Sequence, residues 1–102
     1  MYVVEVDNKI FIFEAGLKYA DDKLLGVDYI IPNFEYLKEN LYSEVALCGV
    51  VTNICVISNA VVAKTALPNA EIVIYKDLVA SNDPVMEEKT FEIMKNLHMN
   101  IV

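Results

Sequence analysis

The chain has 102 residues, of which 56% are hydrophobic and 23% charged, and its formal net charge is −7. This composition excludes a disordered or low-complexity chain, and the scattered positions of the eight basic residues exclude a phosphate-binding surface. No apolar run approaches the roughly 18 residues that span a bilayer, and the first residues lack the pattern of a signal peptide. We therefore expect a cytoplasmic protein with two reduced thiols, which binds neither nucleic acid nor membrane.

The N-terminal third of the sequence predicts a β-hairpin. Residues 1–6 alternate in polarity like a strand, Asp7 and Asn8 can turn the chain, and residues 9–13 can return as the second arm. Residues 16–31 have no clean period. We expect irregular chain there, in which residues 27–31 could form one short strand.

The rest of the sequence predicts three helices that alternate with three strands. The expected helices cover residues 33–41, 52–64 and 85–97, and the expected strands cover residues 44–48, 71–75 and 100–102. Thr52 or Asn53 is expected to cap the second helix, and Pro84 opens the third. Strands and helices that alternate at these lengths predict right-handed crossovers and a parallel sheet.

One residue of this part, Cys55, has a position that suits chemistry. It lies inside the first turn of the second helix, after a buried strand and a glycine turn. A helix N-terminus carries free N–H groups and about half a positive charge, which favour a thiolate and can hold an oxyanion. Cys55 is therefore a candidate nucleophile. The alternative is that it is a small core residue, as cysteines in apolar helices commonly are.

The segment from Gly49 to Val56, GVVTNICV, resembles the G-V-x-T-[DN]-x-C-V segment of the isochorismatase/nicotinamidase-like cysteine hydrolases. The resemblance covers roughly residues 34–102 and includes Lys76-Asp77, where that family usually has an aspartate, and Pro84 at the start of a helix. It implies a single domain over residues 1–102, with a divergent segment at 1–32. The implied fold is α/β and Rossmann-like, with three layers and a mainly parallel sheet that is shortened at its N-terminal side.

The resemblance also implies an activity. In such enzymes a cysteine thiolate attacks a small-molecule carboxamide, an amine or ammonia leaves, and water hydrolyses the acyl-enzyme. Cys55 would be the nucleophile. Asp7 is the candidate for the family's acid, which follows the first strand, and Lys23 is the candidate for its lysine, with Lys18 as the alternative.

The turn before Cys55 receives a role from the resemblance as well. A cis peptide bond is implied between Val50 and Val51, just before Thr52, and the N–H groups of Val51 and Cys55 would form the oxyanion hole. The zinc site of nicotinamidases needs one Asp and two His, whereas this sequence has a single histidine, His98. We therefore expect no metal and no other cofactor.

Two further readings remain open. The chain could be a catalytically silent relative that serves in assembly or binding, or a thiol-sensing module built on Cys48 and Cys55. A mean hydropathy of +0.39 and a nearly all-apolar helix over residues 54–63 predict apolar surface that another subunit covers. We therefore expect a homodimer or larger homo-oligomer.

Overall fold

The computed structural model describes residues 2–13, 18–19, 29–30 and 42–102. Within these ranges the main sheet has five strands in the order β1-β2-β5-β6-β7, and β3 pairs with β4 separately. The strands are β1 (Tyr2–Val6), β2 (Lys9–Phe13), β3 (Lys18–Tyr19), β4 (Tyr29–Ile30), β5 (Glu44–Val50), β6 (Glu71–Ala80) and β7 (Asn100–Ile101). The α-helices are α1 (Ile57–Ala66) and α2 (Pro84–Asn96), and a π-helical turn, Thr52–Val56, runs directly into α1. We call it the Cys55 turn.

The predicted hairpin is present and decides which strand lies beside β5. Asp7 has φ of 54°, in the left-handed region that turn residues adopt, and β1 and β2 are antiparallel. β2 is parallel to β5, in a register that runs from the Lys9–Glu44 pair to the Phe13–Cys48 pair. The hairpin turn therefore lies at the edge of the sheet where β5 begins. The end of β2 lies near the edge where β5 ends.

The sheet is mainly parallel, as predicted, and both α-helices pack on the same face. Alternate residues of β2 and of the first halves of β5 and β6 are fully buried on that face, against small residues of α1 and large ones of α2. Each buried branched aliphatic side chain contributes about 1.5–3 kcal/mol, so this core is the main source of stability. Its fully buried members include Ile10, Ile12, Val45, Leu47, Ala60, Ala63, Ile72, Ile74 and Met94. Ala46, Cys48 and Val73, on the opposite face, are also buried, which explains the unbroken apolar runs of β5 and β6.

The strand β6 is longer than predicted, because it pairs with β5 in two registers. Glu44 pairs with Glu71 and the register continues to Leu47, but Gly49 then pairs with Val79, so β6 contains extra residues between the two regions. Lys76 and Asp77 fall in this part of β6. Their polar side chains interrupt the apolar run, so the run predicts only the first half of the strand.

The third predicted helix, α2, is present. Asp83 caps the helix, since its Oδ1 accepts a hydrogen bond from the N–H of Met86 at 3.1 Å, and Pro84 follows in the first turn. Met86 and Ile93, two apolar residues of this helix, are 43% and 51% exposed. The buried residues are Thr90, Phe91 and Met94. Phe91 and Met94 are the residues of α2 that join the apolar core.

Three remaining expectations have different outcomes. β4 falls inside the short strand expected at residues 27–31, and β7 within the one expected at 100–102. The helix expected over residues 33–41 lies outside the described residues. In the part of the chain that the structure describes, no helix is long and apolar enough to cross a membrane.

Candidate active site

Cys55 lies in a π-helical turn rather than in the first turn of an α-helix. The carbonyl of Val51 accepts hydrogen bonds from the N–H groups of Ile54 and Val56, both at 3.1 Å. The bond from Val51 to Val56 spans five residues and widens the helix at this point, a feature that is frequent at functional sites. Cys55 is half-buried and its thiol is free.

The chain enters this turn from the carboxyl end of β5. Gly49 has φ of 119°, a conformation that only glycine adopts without a steric cost from Cβ. The peptide bond between Val50 and Val51 is cis, the bond at which the family resemblance places a cis linkage. Cys55 therefore lies beyond the carboxyl end of a central strand of a parallel sheet, where open α/β folds bind ligands.

The predicted capping of the Cys55 helix by Thr52 or Asn53 is wrong. The residue before the turn is Val51, and no side chain caps it. The hydroxyl of Thr52 instead donates to Oε2 of Glu87 at 2.6 Å, and Asn53 Oδ1 accepts a hydrogen bond from the hydroxyl of Ser81 at 2.5 Å. Both side chains thus bind residues that lie between the end of β6 and the end of the first turn of α2. A hydrogen bond from a buried hydroxyl to a carboxylate is stronger than the hydrogen bond that the same hydroxyl would accept from a neutral backbone N–H.

The second thiol, Cys48, is buried within β5 as expected. It is 2% exposed, and its Sγ donates to the carbonyl of Ile12 at 3.5 Å. Burial raises the pKa of the Cys48 thiol, because the interior disfavours the thiolate. A buried, protonated thiol is a poor nucleophile, so these features do not favour a thiol-sensing site that uses Cys48.

The structure does not bring Asp7 to Cys55, and this expectation needs correction. Asp7 is an exposed residue of the hairpin turn, beside the Lys9–Glu44 pair at the start of β5. Cys55 lies beyond the other end of β5, and seven strand residues at about 3.3 Å each separate the two edges by about 20 Å. The error has a physical cause. The hairpin reverses the chain, so that β2 and not β1 runs parallel to β5.

The other predicted residues of the site cannot be placed beside Cys55. Lys23 lies outside the described residues. The alternative, Lys18, begins the short strand β3, and its side chain is likewise outside the description. Phe13 is the last residue of β2, and the next residue in sequence, Glu14, also lies outside the described residues. Sequence reasoning did not consider Glu14.

Within the same described ranges, no group of three or more His, Cys, Asp or Glu side chains could hold a metal ion. His98 is exposed and follows α2, with φ of 62°.

Comparisons with known sequences give a short match to a different class of protein. No family model matches the chain. The chain is 58% identical to ribonuclease J of Mycoplasma pneumoniae and 50% identical to ribonuclease J 2 of Staphylococcus saprophyticus, in each case over 40 residues. These 40 residues are 39% of this chain but 7% of either relative. A match of that extent assigns no activity to this chain.

Comparisons with solved structures cover more of the chain. The pyrazinamidase of Pyrococcus horikoshii, solved in complex with zinc, matches with a TM-score of 0.61 at 32% identity, over 67% of this chain and 37% of its own. A nicotinamidase of Bacillus subtilis matches with a TM-score of 0.59 at 32% identity and the same coverage. An isochorismatase-like hydrolase of Alkaliphilus metalliredigens matches at 29% identity and a TM-score of 0.56. This chain thus spans little more than a third of the first two structures. Over the two thirds of the chain that these structures match, the protein belongs to the isochorismatase/nicotinamidase-like superfamily.

Proposed function

We propose that the protein is a cysteine hydrolase that cleaves the C–N bond of a small carboxamide through an acyl-enzyme on Cys55. The observation that carries this proposal is the position of Cys55. It is a half-buried free thiol in a π-helical turn, directly after the carboxyl end of a central parallel strand and a cis peptide bond. The neighbours described above are named for nicotinamidase and pyrazinamidase activity, which supports the same class of substrate.

The reaction would proceed in two balanced steps. The Cys55 thiolate forms a bond to the carbonyl carbon, and the N–H groups of Val51 and Cys55 hold the negative charge on the oxygen. The C–N bond then breaks, and the leaving nitrogen takes a proton and departs as ammonia. A water molecule attacks the thioester, releases the carboxylic acid and returns the proton to the site.

An acid–base group must reach Cys55 from the edge of the sheet where β5 ends. Phe13 pairs with Cys48 close to that edge, and the acidic residue next in sequence is Glu14. We therefore assign the acidic role to Glu14 instead of Asp7. Lys23 keeps the role that the family resemblance gave it, as the lysine of the site.

A second function is supported by the position of Asp7. The acid that the family resemblance implied lies at the opposite edge of the sheet from Cys55. A catalytically silent relative, which serves in assembly or binding, accounts for this separation. It predicts a folded protein without amide turnover.

We also propose that the protein is a homodimer or larger homo-oligomer. Ile54 and Val61, on the Cys55 turn and α1, are 51% and 41% exposed. Apolar side chains on one helix face are typical of a covered surface. Sedimentation equilibrium at micromolar concentration tests this proposal, and a stable monomer would contradict it.

The proposed function is tested by measuring ammonia release from nicotinamide, pyrazinamide and smaller aliphatic amides. Turnover should occur with at least one of them, should disappear in Cys55→Ala and should persist in Cys48→Ala, the matched control. Ammonia release that is unchanged in Cys55→Ala would contradict the assignment. A folded wild-type protein that releases none would favour the silent relative.

A further inference from the structure

Resting on the proposed function, we infer that the segment between β6 and the first turn of α2 positions the Cys55 turn, with Glu87 as the principal positioning residue. Two consecutive residues of the turn are bound from this segment. Thr52 donates to Glu87 at 2.6 Å, and Asn53 accepts from Ser81 at 2.5 Å. The partners are 35 and 28 residues apart in sequence, so tertiary structure alone brings them together.

The contact between Thr52 and Glu87 is the stronger of the two. Thr52 has no exposed surface, and its hydroxyl would be left without this partner in the interior if Glu87 were removed. A hydrogen bond to a charged group is worth more than one between neutral groups, and an orphaned buried donor carries a full desolvation penalty. Glu87 therefore holds the first residue of the turn in one orientation.

The segment that makes these contacts is itself fixed. The N–H of Asp83 donates to the hydroxyl of Ser81 at 3.0 Å, and the Asp83 carboxylate in turn accepts from Met86 at the start of α2. Ser81 and Glu87 are thus tied to the same helix end. The turn is held at two points by one rigid unit rather than by two independent side chains.

The contacts reach Cys55 through the backbone of the turn. The carbonyl groups of Thr52 and Ile54 both accept from the N–H of Ile57, the first residue of α1. Thr52 and Ile57 therefore hold the two ends of the turn, and Cys55 lies between them. A shift of Thr52 changes the direction of the N–H groups of its neighbour Val51 and of Cys55, which would hold the oxyanion in the proposed reaction.

The test measures the reaction of Cys55 with iodoacetamide across pH 6–9, with peptide mapping to separate it from Cys48. Glu87→Ala and Thr52→Val should each slow the reaction by about tenfold, the loss that one strong hydrogen bond carries. Glu87→Gln keeps an acceptor oxygen and should stay within about twofold of the wild type. Glu88→Ala is the matched control, because Glu88 is the next residue on α2, is exposed, and its side chain makes no hydrogen bond or ion pair within the described ranges.

Because both single variants remove the same bond, the double variant should react no more slowly than either one. A wild-type rate in Glu87→Ala, an additive loss in the double variant, or a loss in Glu87→Gln equal to that in Glu87→Ala would overturn the inference. If Glu87→Ala does not fold, Thr52→Val decides, since it leaves α2 intact. The readout needs no substrate. Absent turnover in the wild type would therefore contradict the proposed function without affecting this measurement.

Discussion

Phe13 and Cys48 are paired across the parallel strands β2 and β5, so β2 ends toward the edge of the sheet beyond which Cys55 lies. Asp7 lies at the opposite edge. If the protein hydrolyses amides, Glu14→Gln should therefore remove most ammonia release, and Asp7→Asn should leave it near the wild-type rate. Steady-state assays with the best substrate check this prediction. Loss of activity in Asp7→Asn with retention in Glu14→Gln would reverse the assignment.

The two thiols should differ in their rates of alkylation. Cys55 is half-buried at the start of a helix, whereas Cys48 is buried in β5 and its pKa is raised by desolvation. Iodoacetamide at neutral pH should label Cys55 first, and peptide mass mapping distinguishes the two sites. Equal rates, or faster labelling of Cys48, would mean that Cys55 is not an activated nucleophile.

Burial of Cys48 should also make the stability of the protein depend on pH. The raised pKa means that the folded protein keeps the Cys48 proton at pH values where the unfolded chain, with an ordinary thiol pKa of about 8.5, has lost it. The unfolded state then binds fewer protons, so the free energy of unfolding should fall as the pH rises above about 8.5. Urea titrations at pH 7 to 10 should show a smaller fall in Cys48→Ala. Identical slopes in the two proteins would contradict the prediction.

The cap of α2 should contribute measurable stability. Asp83 accepts from the N–H of Met86 at 3.1 Å, so Asp83→Ala should reduce the free energy of unfolding by about 1 kcal/mol. Asp83→Asn retains an acceptor and should restore most of it. Glu88→Ala, an exposed neighbour, should change it by less than about 0.5 kcal/mol. An effect of Asp83→Ala no larger than that of Glu88→Ala would show that the cap is energetically silent.

The sequence predicted the elements whose signal is local. The apolar runs that became β5 and the first half of β6 are recognisable because both faces of these strands are buried. The hairpin follows from Asp7 and Asn8, which suit a turn. Cys55 was located by its place after a strand and a glycine, and the superfamily by the residues around it.

The parts that sequence reasoning missed depend on distant partners. Thr52 and Asn53 have the side chains of capping residues, but Glu87 and Ser81 bind them instead, and no local pattern reveals partners so far apart. The position of Asp7 was missed for a similar reason. Only the pairing of β2 with both β1 and β5 shows that Asp7 lies at the opposite edge of the sheet from Cys55.

Amide hydrolysis through Cys55 requires that this residue carries an acyl group during turnover. The most direct measurement is the mass of the protein after acid quenching of a reaction with nicotinamide, pyrazinamide or the amide that gives the fastest ammonia release, followed by mapping of the modified peptide. We expect an added acyl group on the peptide that contains Cys55, absent in Cys55→Ala and present in Cys48→Ala. Steady turnover without any such adduct, or an adduct on Cys48, would contradict it.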